Sequence, residues 1–433
     1  MVPRVGKPSK ASRVAITCAV LALLAGCGST MRDGLSARAS ATPSAQVVSG
    51  ACSTAVLGAL GDVAMRAYRE GVSSERTRSA LSFIARSIPL RNAVERGDPR
   101  AARAAAQALV ATGHMTNLRV LRGSATANGG GQVLADVGAP DALAPLHGAI
   151  TSASGATIGT FVTSVWADDG FVQEASGIAE GIAALRQNGR SIAGSFELGG
   201  DEPSPRGTLT AKGTAYAYTS FPANVYPAGQ LRVYLLKPLS SIAPLCGAST
   251  QDTLVNTLSR VARLIYTSEE GAHALTQVHR VQRYQPLLRA VAARDPAASR
   301  RAIEHLLHEH VVRLRVSAGG RLLSDVGGPY VLAPVHAPLR LNGQRIGSVE
   351  LSIQDDEGYK RLAGRLAGLS VLMYMNPAHP RLVKNSLGPA PGAVPASGTY
   401  RYRGRTFRVY TLHAEAFPSG PLRIAVLIPI PYS

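Results

Sequence analysis

The sequence is poor in cysteine, in acidic residues and in long apolar runs. It has four cysteines, one tryptophan and 27 acidic residues against 46 lysines and arginines. The first apolar run, 14–24, is too short to cross a bilayer, which takes about 20 residues. No later stretch is long enough either, so we expect no membrane-spanning helix.

Signatures of several enzyme classes are also missing. The chain has no Ser-x-x-Lys, Gly-x-Ser-x-Gly, P-loop or Gly-x-Gly-x-x-Gly motif, so we expect neither an enzyme nor a cofactor. The basic residues are dispersed and not interleaved with aromatics, which gives no indication of nucleic-acid binding. The charge suits anionic surroundings, such as lipid headgroups or wall polymers, or is simply a basic solvated surface.

The N-terminus combines a basic start, a short apolar core and the segment Leu24-Ala25-Gly26-Cys27. Such an order is typical of a secretory signal, here residues 1–26. The small residues before the cysteine resemble the lipobox of bacterial lipoproteins. The resemblance implies cleavage before Cys27, and acyl chains on Cys27 as the membrane anchor. The alternative is an ordinary signal peptide with an incidental cysteine.

Loss of the signal would leave 42 basic against 27 acidic residues, a formal net charge of +15. Residues 27–51 are then the lipidated cysteine and a small, polar stretch that predicts a flexible tether. Cys18 leaves with the signal, so Cys52 and Cys246 remain. In an oxidising compartment they most simply form a disulfide, with two free buried thiols as the alternative.

The remaining chain contains a long internal repeat. The matching segments are 134–147 with 323–336, 158–171 with 346–359, and 207–238 with 398–429. Asp98-Pro99 and Asp295-Pro296 begin equivalent helical stretches, because Asp supplies an N-cap acceptor and Pro fits the first turn. The chain is therefore a tandem duplication with one module at 52–245 and another at 246–433.

Both modules predict the same order of elements. Helices come first (55–69 and 77–88; 254–267 and 271–281), then two strands, a third strand, a short helix within 174–187 or 359–368, and a closing hairpin. This order predicts an α+β fold in which long N-terminal helices pack on a central antiparallel sheet of about five strands.

Three motifs carry a resemblance to the Cache family, the extracytoplasmic PAS-like sensor modules of bacteria. They are a Gly turn before LADVG or LSDVG, a strand ending in ADDGF or QDDEGY, and the Gly-bounded closing hairpin. The resemblance covers most of each module and implies a small-molecule pocket over a PAS-like sheet. Two departures matter: no kinase, cyclase or methyl-accepting domain follows, and the whole module is repeated with its own helices. Signalling would then pass through a partner, such as a membrane receptor or transporter.

Several candidate ligand-binding residues occupy equivalent places in the two modules. The candidates are Arg119 and Arg315, His147 and His336, and Asp168 and Asp356, together with Trp166, Tyr330, Gln354 and Tyr359. A guanidinium matches a carboxylate at two points, and a protonated imidazole binds one. The doubled acids would contact ligand, or form a cation site, at the rim of the pocket.

Each of these residues also has a plain structural alternative. The arginines would face solvent from a strand, and the histidines would end a strand and bond to backbone. The doubled acids would cap the following helix, and Asp136 and Asp325 would shape turns. His305, His308 and His310 form the densest imidazole cluster, yet they lack the His-Glu-x-x-His spacing and fit a polar helix end better than a metal site.

The sequence therefore favours a membrane-anchored extracytoplasmic lipoprotein that binds a small anionic ligand, with the second module as the better candidate. A structural lipoprotein whose basic modules contact wall polymers is the alternative. An envelope hydrolase is a weaker one.

Overall fold

The computed structural model describes residues 48–432, apart from 124–130, 195, 197–203, 269–270, 308–310, 330, 377–378, 390 and 418–419. The predicted signal, Cys27, Tyr330, His308 and His310 lie outside the described residues. In the described part of the chain, no helix is both long and apolar enough to cross a membrane. The tether predicted over 27–51 extends slightly too far, because the first helix already begins at Gly50.

The helices follow the same order in the first half (48–245) and the second half (246–432). Those of the first half are α1 Gly50–Ser73, α2 Glu75–Arg86, α3 Ile88–Arg96, α4 Pro99–Val110, α5 Asp168–Ala179 and α6 Leu239–Ile242, followed by a 3-10 turn at Ala243–Leu245. Those of the second half are α7 Thr250–Ser268, α8 Ala272–Arg283, α9 Gln285–Ala292, α10 Pro296–Leu306 and α11 Asp356–Ala367. The predicted caps are confirmed, since the side chains of Asp98 and Asp295 accept from first-turn amides of α4 and α10.

Eleven strands lie in the described part of each half. In the first they are β1 Asn117–Arg122, β2 Gln132–Gly138, β3 Ala142–Leu143, β4 Leu146–Thr151, β5 Thr157–Ser164, β6 Trp166–Ala167, β7 Ile182–Gln187, β8 Arg190–Ala193, β9 Arg206–Ala211, β10 Thr214–Asn224 and β11 Gln230–Pro238. In the second they are β12 Arg313–Ala318, β13 Arg321–Gly327, β14 Val331–Leu332, β15 Val335–Leu341, β16 Gln344–Ser352, β17 Gln354–Asp355, β18 Ser370–Met375, β19 Arg381–Asn385, β20 Gly398–Tyr402, β21 Arg405–Phe417 and β22 Gly420–Ile430.

The α+β class is confirmed, but the single central sheet per module is wrong. The first half holds a four-stranded sheet, β2-β1-β5-β4, and a five-stranded sheet, β8-β7-β11-β10-β9. The second half holds β13-β12-β16-β15 and a larger sheet, β17-β14-β21-β22-β18-β19, with β20 paired to β21. The closing hairpin does not join the first sheet of its half. It pairs instead with β7 or β18, which the sequence patterns did not predict.

The missed strand β7 lies in a segment predicted as helix. Helix α5 ends because Glu180 adopts a left-handed conformation with φ 44°. The chain then turns at Gly181, where an added Cβ would lie 2.6 Å from the carbonyl oxygen of Leu236. Residues 182–187 therefore continue as a strand rather than a helix.

The four-stranded sheets each bury one face under helices. In the first half, Leu118 and Val120 of β1 pack with Leu90 and Val94 of α3. Leu314 and Val316 of β12 and their neighbours form the equivalent core with α9 and α10. Residues between these apolar positions, such as Arg119 and Arg315, therefore point to the opposite, helix-free face.

The larger sheets sandwich a layer of helices that belongs to both halves. Helix α1 packs on β10 and β11, α7 packs on β21 and β22, and α1 and α7 pack on each other, with α5 and α11 beside them. One hydrophobic core contains Val63, Val233, Val261 and Val426, and thus joins both halves. Residues 47–433 form one compact unit, so the two repeats are not separate bodies.

A disulfide crosses between the halves. It joins Cys52 in α1 to Cys246, just before α7, over a sequence separation of 194 residues. Cys52 is buried in the shared core. The bond therefore holds the start of one half against the start of the other.

Candidate functional site

A row of charged side chains crosses the helix-free face of the four-stranded sheet in the second half. Strand register places Arg315 opposite both Asp325 and Glu350, and Glu350 opposite His336. We call these four residues the charged row. The structure thus brings two predicted residues, Arg315 and His336, together with two acids that the sequence analysis did not propose as ligands.

Asp325 is the centre of the ion pairs in the charged row. Arg315 donates to its Oδ2 from Nε at 3.2 Å and from Nη2 at 3.0 Å. The neighbouring Arg313 donates to Oδ1 from Nε at 2.8 Å. Asp325 therefore binds two guanidiniums from one strand, and the expectation that it only shapes a turn is wrong.

The ring of Phe417 contacts both guanidiniums. Its ring centroid lies 5.5 Å from Cζ of Arg313 and 5.0 Å from Cζ of Arg315. These distances fall within the range of cation–π attraction, about 6 Å. The ring and Asp325 together fix both arginines, so the charged row is preorganised.

The outer end of the charged row is more loosely paired. Nη1 of Arg315 lies 3.5 Å from Oε2 of Glu350, and Nε2 of His336 lies 3.7 Å from Oε1. The His336 side chain is 69% exposed, whereas that of Glu350 is 18% exposed. An incoming ligand would therefore reach His336 first.

The pKa values of the two acids in the charged row are shifted in opposite directions. Burial raises the pKa of Glu350, with the Glu415 and Asp325 charges adding, and outweighs the effect of His336 and Arg315. Burial acts in the same sense on Asp325, but hydrogen bonds and charges from Arg313 and Arg315 prevail and lower its pKa. Asp325 is thus the stable counter-ion, and Glu350 is the poorly compensated one.

The first half builds a different arrangement at the equivalent place. Arg119 donates to Oδ2 of Asp136 from Nε at 2.9 Å and Nη2 at 2.5 Å, and Tyr226 donates its hydroxyl to Oδ1 at 2.9 Å. Burial, followed by this hydrogen bond, raises the pKa of Tyr226. Val162 lies between Arg119 and His147 in the register, so no charge links them. Asp136 is also more than a turn former.

The doubled acids lie away from the charged row, at the starts of α5 and α11. Lys384 of β19 places its Nζ 3.0 Å from Oδ2 of Asp356 and 2.8 Å from Oε1 of Glu357. Lys360 lies 2.7 Å from Glu357. Hydrogen bonds from Lys360 and Lys384 lower the pKa of Glu357 to about 2. This group is a compensated ion-pair network.

Asp168 has the opposite environment. Burial raises its pKa, and the charges of Asp169 and Asp141 raise it further, against a backbone hydrogen bond from Asp169. Asp168 is not the N-cap of α5, which is Ala167 and has no side-chain acceptor, but its Oδ1 accepts from the first-turn amide of Asp169 at 2.7 Å. In α11 the capping residue is Asp355, which accepts from Gly358 N at 2.6 Å.

The remaining candidates are packing residues. Tyr359 is fully buried in the shared core, and its hydroxyl donates to Ala262 O at 3.0 Å. Trp166 packs edge-on against Phe171. Gln354 is buried in the short strand β17, and its amide oxygen has no partner among the described residues. His305 stacks on Tyr284 at 5.7 Å.

Two cavities lie apart from the charged row. One, of about 240 Å³, opens between α5, α7 and α11. Another, of about 300 Å³, lies between the start of α1 and strands β9 and β10, next to Ser53, Leu57, Arg206 and Tyr218. The charged row lines neither of these two cavities.

Comparisons with known proteins are sparse. No family model and no curated protein sequence matches the chain. Among solved structures, it is similar to an extracellular ligand binding receptor from Desulfohalobium retbaense DSM5692, with 11% sequence identity and a TM-score of 0.23. The match covers 52% of this chain and 47% of that chain, so this chain spans about half of the receptor's length. A likeness at this level assigns neither a family nor a function.

Proposed function

We propose that this protein is an exported lipoprotein of the Cache type that binds a small carboxylate ligand at the charged row of its second half. It is anchored through acyl chains on Cys27 and acts through a partner, such as a membrane receptor or transporter. The observation that carries ligand binding is the pair Arg313 and Arg315, held in place by Asp325 and Phe417.

The chemistry of the row favours an anion. Asp325 accepts from Nε and Nη2 of Arg315, whereas Nη1 lies 3.5 Å from Glu350 and makes no other hydrogen bond or ion pair in the part of the chain that the structure describes. A ligand carboxylate competes for Nη1 with the Glu350 carboxylate, whose pKa is raised because burial disfavours its charge. His336 adds a second donor when it is protonated. In the first half, Val162 and Tyr226 replace these features, so the second half is the binding half.

Ligand binding is tested by thermal unfolding of the purified chain with succinate, glutamate and other organic acids and amino acids. A ligand at 100 times its Kd stabilises the folded state by about 2.7 kcal/mol. We expect Arg315→Gln to abolish the shift and the matched first-half variant, Arg119→Gln, to keep it. Equal shifts in both variants would exclude the charged row. Flat curves together with salt-sensitive pelleting on cell walls would favour the wall-binding alternative.

Anchoring is tested separately. In cells that process lipoproteins, the chain should enter the detergent phase on Triton X-114 partitioning, and Cys27→Ser should enter the aqueous phase. Identical partitioning of the two proteins would refute acylation at Cys27 without affecting the binding proposal.

A further inference from the structure

The two hairpins of the four-stranded sheet in the second half turn at the same end of that sheet. Strands β12 and β15 end there, at Ala318 and Leu341, and both run antiparallel to β16, which begins there. Strand β13 begins there as well, with Arg321 opposite Ala318. The end of α9 lies beside the first turn, since a Cβ added at Gly319 would lie 3.5 Å from Nη2 of Arg294. Two turns and a helix end therefore form one surface.

Four exposed arginines from different parts of the chain lie at this end of the sheet. They are Arg294 after α9, Arg321 of β13, Arg340 of β15 and Arg345 of β16. We call these four residues, together with Leu322 of β13, the arginine end. Register places Arg340 directly opposite Arg345. Like charges directly opposite each other destabilise a sheet, so the fold itself gives no reason for this pair.

Acidic residues are missing from the two hairpin ends. Segments 318–324 and 337–349 contain none. Asp295 follows Arg294 in the chain, but Oδ1 of Asp295 accepts from Ala298 N at 3.0 Å and so faces α10. The positive charge of the arginine end is therefore not neutralised by its own hairpins.

The guanidiniums of the arginine end are accessible. Arg340 donates from Nη1 to Gly343 O at 3.1 Å, within its own turn. Among the described residues, the side chains of Arg294, Arg321 and Arg345 make no hydrogen bond and no ion pair. The arginine end can therefore meet an anionic partner from outside.

The shape of the arginine end favours an extended partner over a single small anion. Strands β13 and β15 are the two edges of the sheet, so Arg321 and Arg340 are three strand spacings apart, about 14 Å at about 4.8 Å each. Leu322, which follows Arg321, is 55% exposed. Basic side chains around an exposed apolar one are typical of surfaces that bind anionic membranes, because headgroups attract the charge and the apolar group enters between them.

The equivalent end of the first half lacks these arginines. The repeat aligns them with uncharged residues, which are Gly97, Gln132, Thr151 and Thr157. Val133 takes the place of Leu322 and is 50% exposed. The exposed apolar residue is therefore common to both halves, whereas the four arginines belong to the second half alone.

We propose that the arginine end binds the anionic surface of a lipid bilayer. Its guanidiniums contact lipid phosphates, and Leu322 enters the headgroup region. This surface uses other residues than the charged row, and it does not depend on acylation at Cys27.

Bilayer binding is tested by sedimentation of the full chain with vesicles of phosphatidylcholine, or of phosphatidylcholine mixed equally with phosphatidylglycerol. Every protein carries Cys27→Ser, so that no acyl chain contributes, and the apolar segment 14–24 is common to all of them. We expect tighter binding to the mixed vesicles, and we expect high salt to remove the difference. Equal binding to both kinds of vesicle would overturn the proposal.

Paired variants locate the surface. Arg321→Gln combined with Arg345→Gln should weaken binding to the mixed vesicles about thirtyfold, since each arginine near an anionic surface contributes on the order of fivefold. Arg86→Gln combined with Arg103→Gln makes the same change of net charge at exposed helical positions of the first half, and should bind as the parent does. Equal losses in the two double variants would show that net charge, and not the arginine end, is responsible.

A further variant distinguishes a bilayer from a dissolved polyanion. Leu322→Ser should weaken vesicle binding on the order of fivefold, part of what full burial of a leucine contributes. It should leave binding to soluble polyphosphate unchanged, because a polymer in water offers no apolar region. Unchanged vesicle binding in Leu322→Ser would show that the arginine end recognises a polyanion rather than a bilayer, and the proposal would be wrong.

Discussion

The two halves share their order of elements but differ in the polar side chains at equivalent places. Tyr226 donates to Asp136 in the first half, whereas Phe417 stacks under Arg313 and Arg315 in the second. Val162 takes the place of Glu350 in the register. The buried apolar positions, by contrast, correspond closely, as with Val63 and Val261 or Val233 and Ile424. The fold therefore depends on the apolar pattern, and the polar positions are where the halves have acquired different properties.

The largest effect is expected from the bond that joins the halves. Replacing Cys52 and Cys246 by serine removes a crosslink that spans 194 residues. In the chain-entropy model this lowers the free energy of unfolding by up to about 5 kcal/mol, and disulfides typically contribute about 2–4 kcal/mol. Denaturant unfolding of the double variant measures the change, with the reduced parent as control. A loss below about 1 kcal/mol would mean that the shared core alone holds the halves together.

The next effect contrasts the doubled acids. Asp356→Asn loses the charge paired with Lys384 in a buried position, and we expect a loss of about 2 kcal/mol, less than for a fully buried pair because Lys384 is partly exposed. Asp168→Asn removes a carboxylate beside Asp169 and Asp141, so we expect a gain of about 0.5 kcal/mol at neutral pH. Thermal unfolding of both variants at pH 7 checks the opposite signs. Equal losses would show that both acids serve only the first turn of their helix.

The two pairs of doubled acids also predict different effects of pH on stability, through Glu357 and Asp168. The folded pKa of Glu357, about 2, lies below its ordinary 4.5, so its contribution is present above pH 4.5 and is lost as the pH falls from 4.5 towards 2. Asp168 has a raised pKa, so its protonation on acidification favours the folded state. Lys384→Met should therefore flatten the loss of stability between pH 4.5 and 2. A profile identical to that of the parent would contradict the role assigned to Lys384.

A smaller effect is expected from exchanging the aromatic side chains under the four-stranded sheets. Tyr226→Phe gives the first half the residue of the second and removes a hydrogen bond to the Asp136 carboxylate. We expect a loss of about 1.5 kcal/mol, because a hydrogen bond to a charged group is worth about 1.5–3 and Asp136 keeps Arg119. Phe417→Tyr, the reverse change, should give no comparable gain, since Asp325 already has two guanidinium partners. Calorimetric Tm values of both variants test this, and a gain in Phe417→Tyr matching the loss in Tyr226→Phe would refute it.

The sequence was sufficient where a residue acts on its near neighbours. The caps at Asp98 and Asp295 and the strands β1 and β12 follow from local pattern, and the structure has them. The prediction of a helix over 174–187 was wrong, because Glu180 adopts the left-handed conformation and ends α5. This residue is not a glycine, so nothing in the sequence signals a helix end there. The small residues that follow, such as Ala183 and Ala184, suit a helix and a buried strand equally. Their pairing with β11 is a tertiary choice.

The candidate site was only partly predictable for the same reason. Arg315 and His336 were found from their repetition in the two modules, but Glu350 has no acidic counterpart in the first half. The expectation that Asp325 shapes a turn misses its pairing with two arginines, because that pairing depends on the register of β12 and β13. The burial of Tyr359 against α7 is visible only once the two halves are packed.

The smallest expected effect concerns glycines that differ in their surroundings. Gly177→Ala should raise stability by about 0.5–1 kcal/mol, because alanine favours a helix over glycine and the new methyl meets no atom within 4 Å. Gly170→Ala should behave alike. Gly71→Ala in α1 should instead destabilise, since its Cβ would lie 2.2 Å from Cδ1 of Trp166 and 3.0 Å from the Cβ of Ala144. Thermal unfolding without added ligand compares the three. A loss in Gly177→Ala would mean that the neighbouring helices already close over this position in solution.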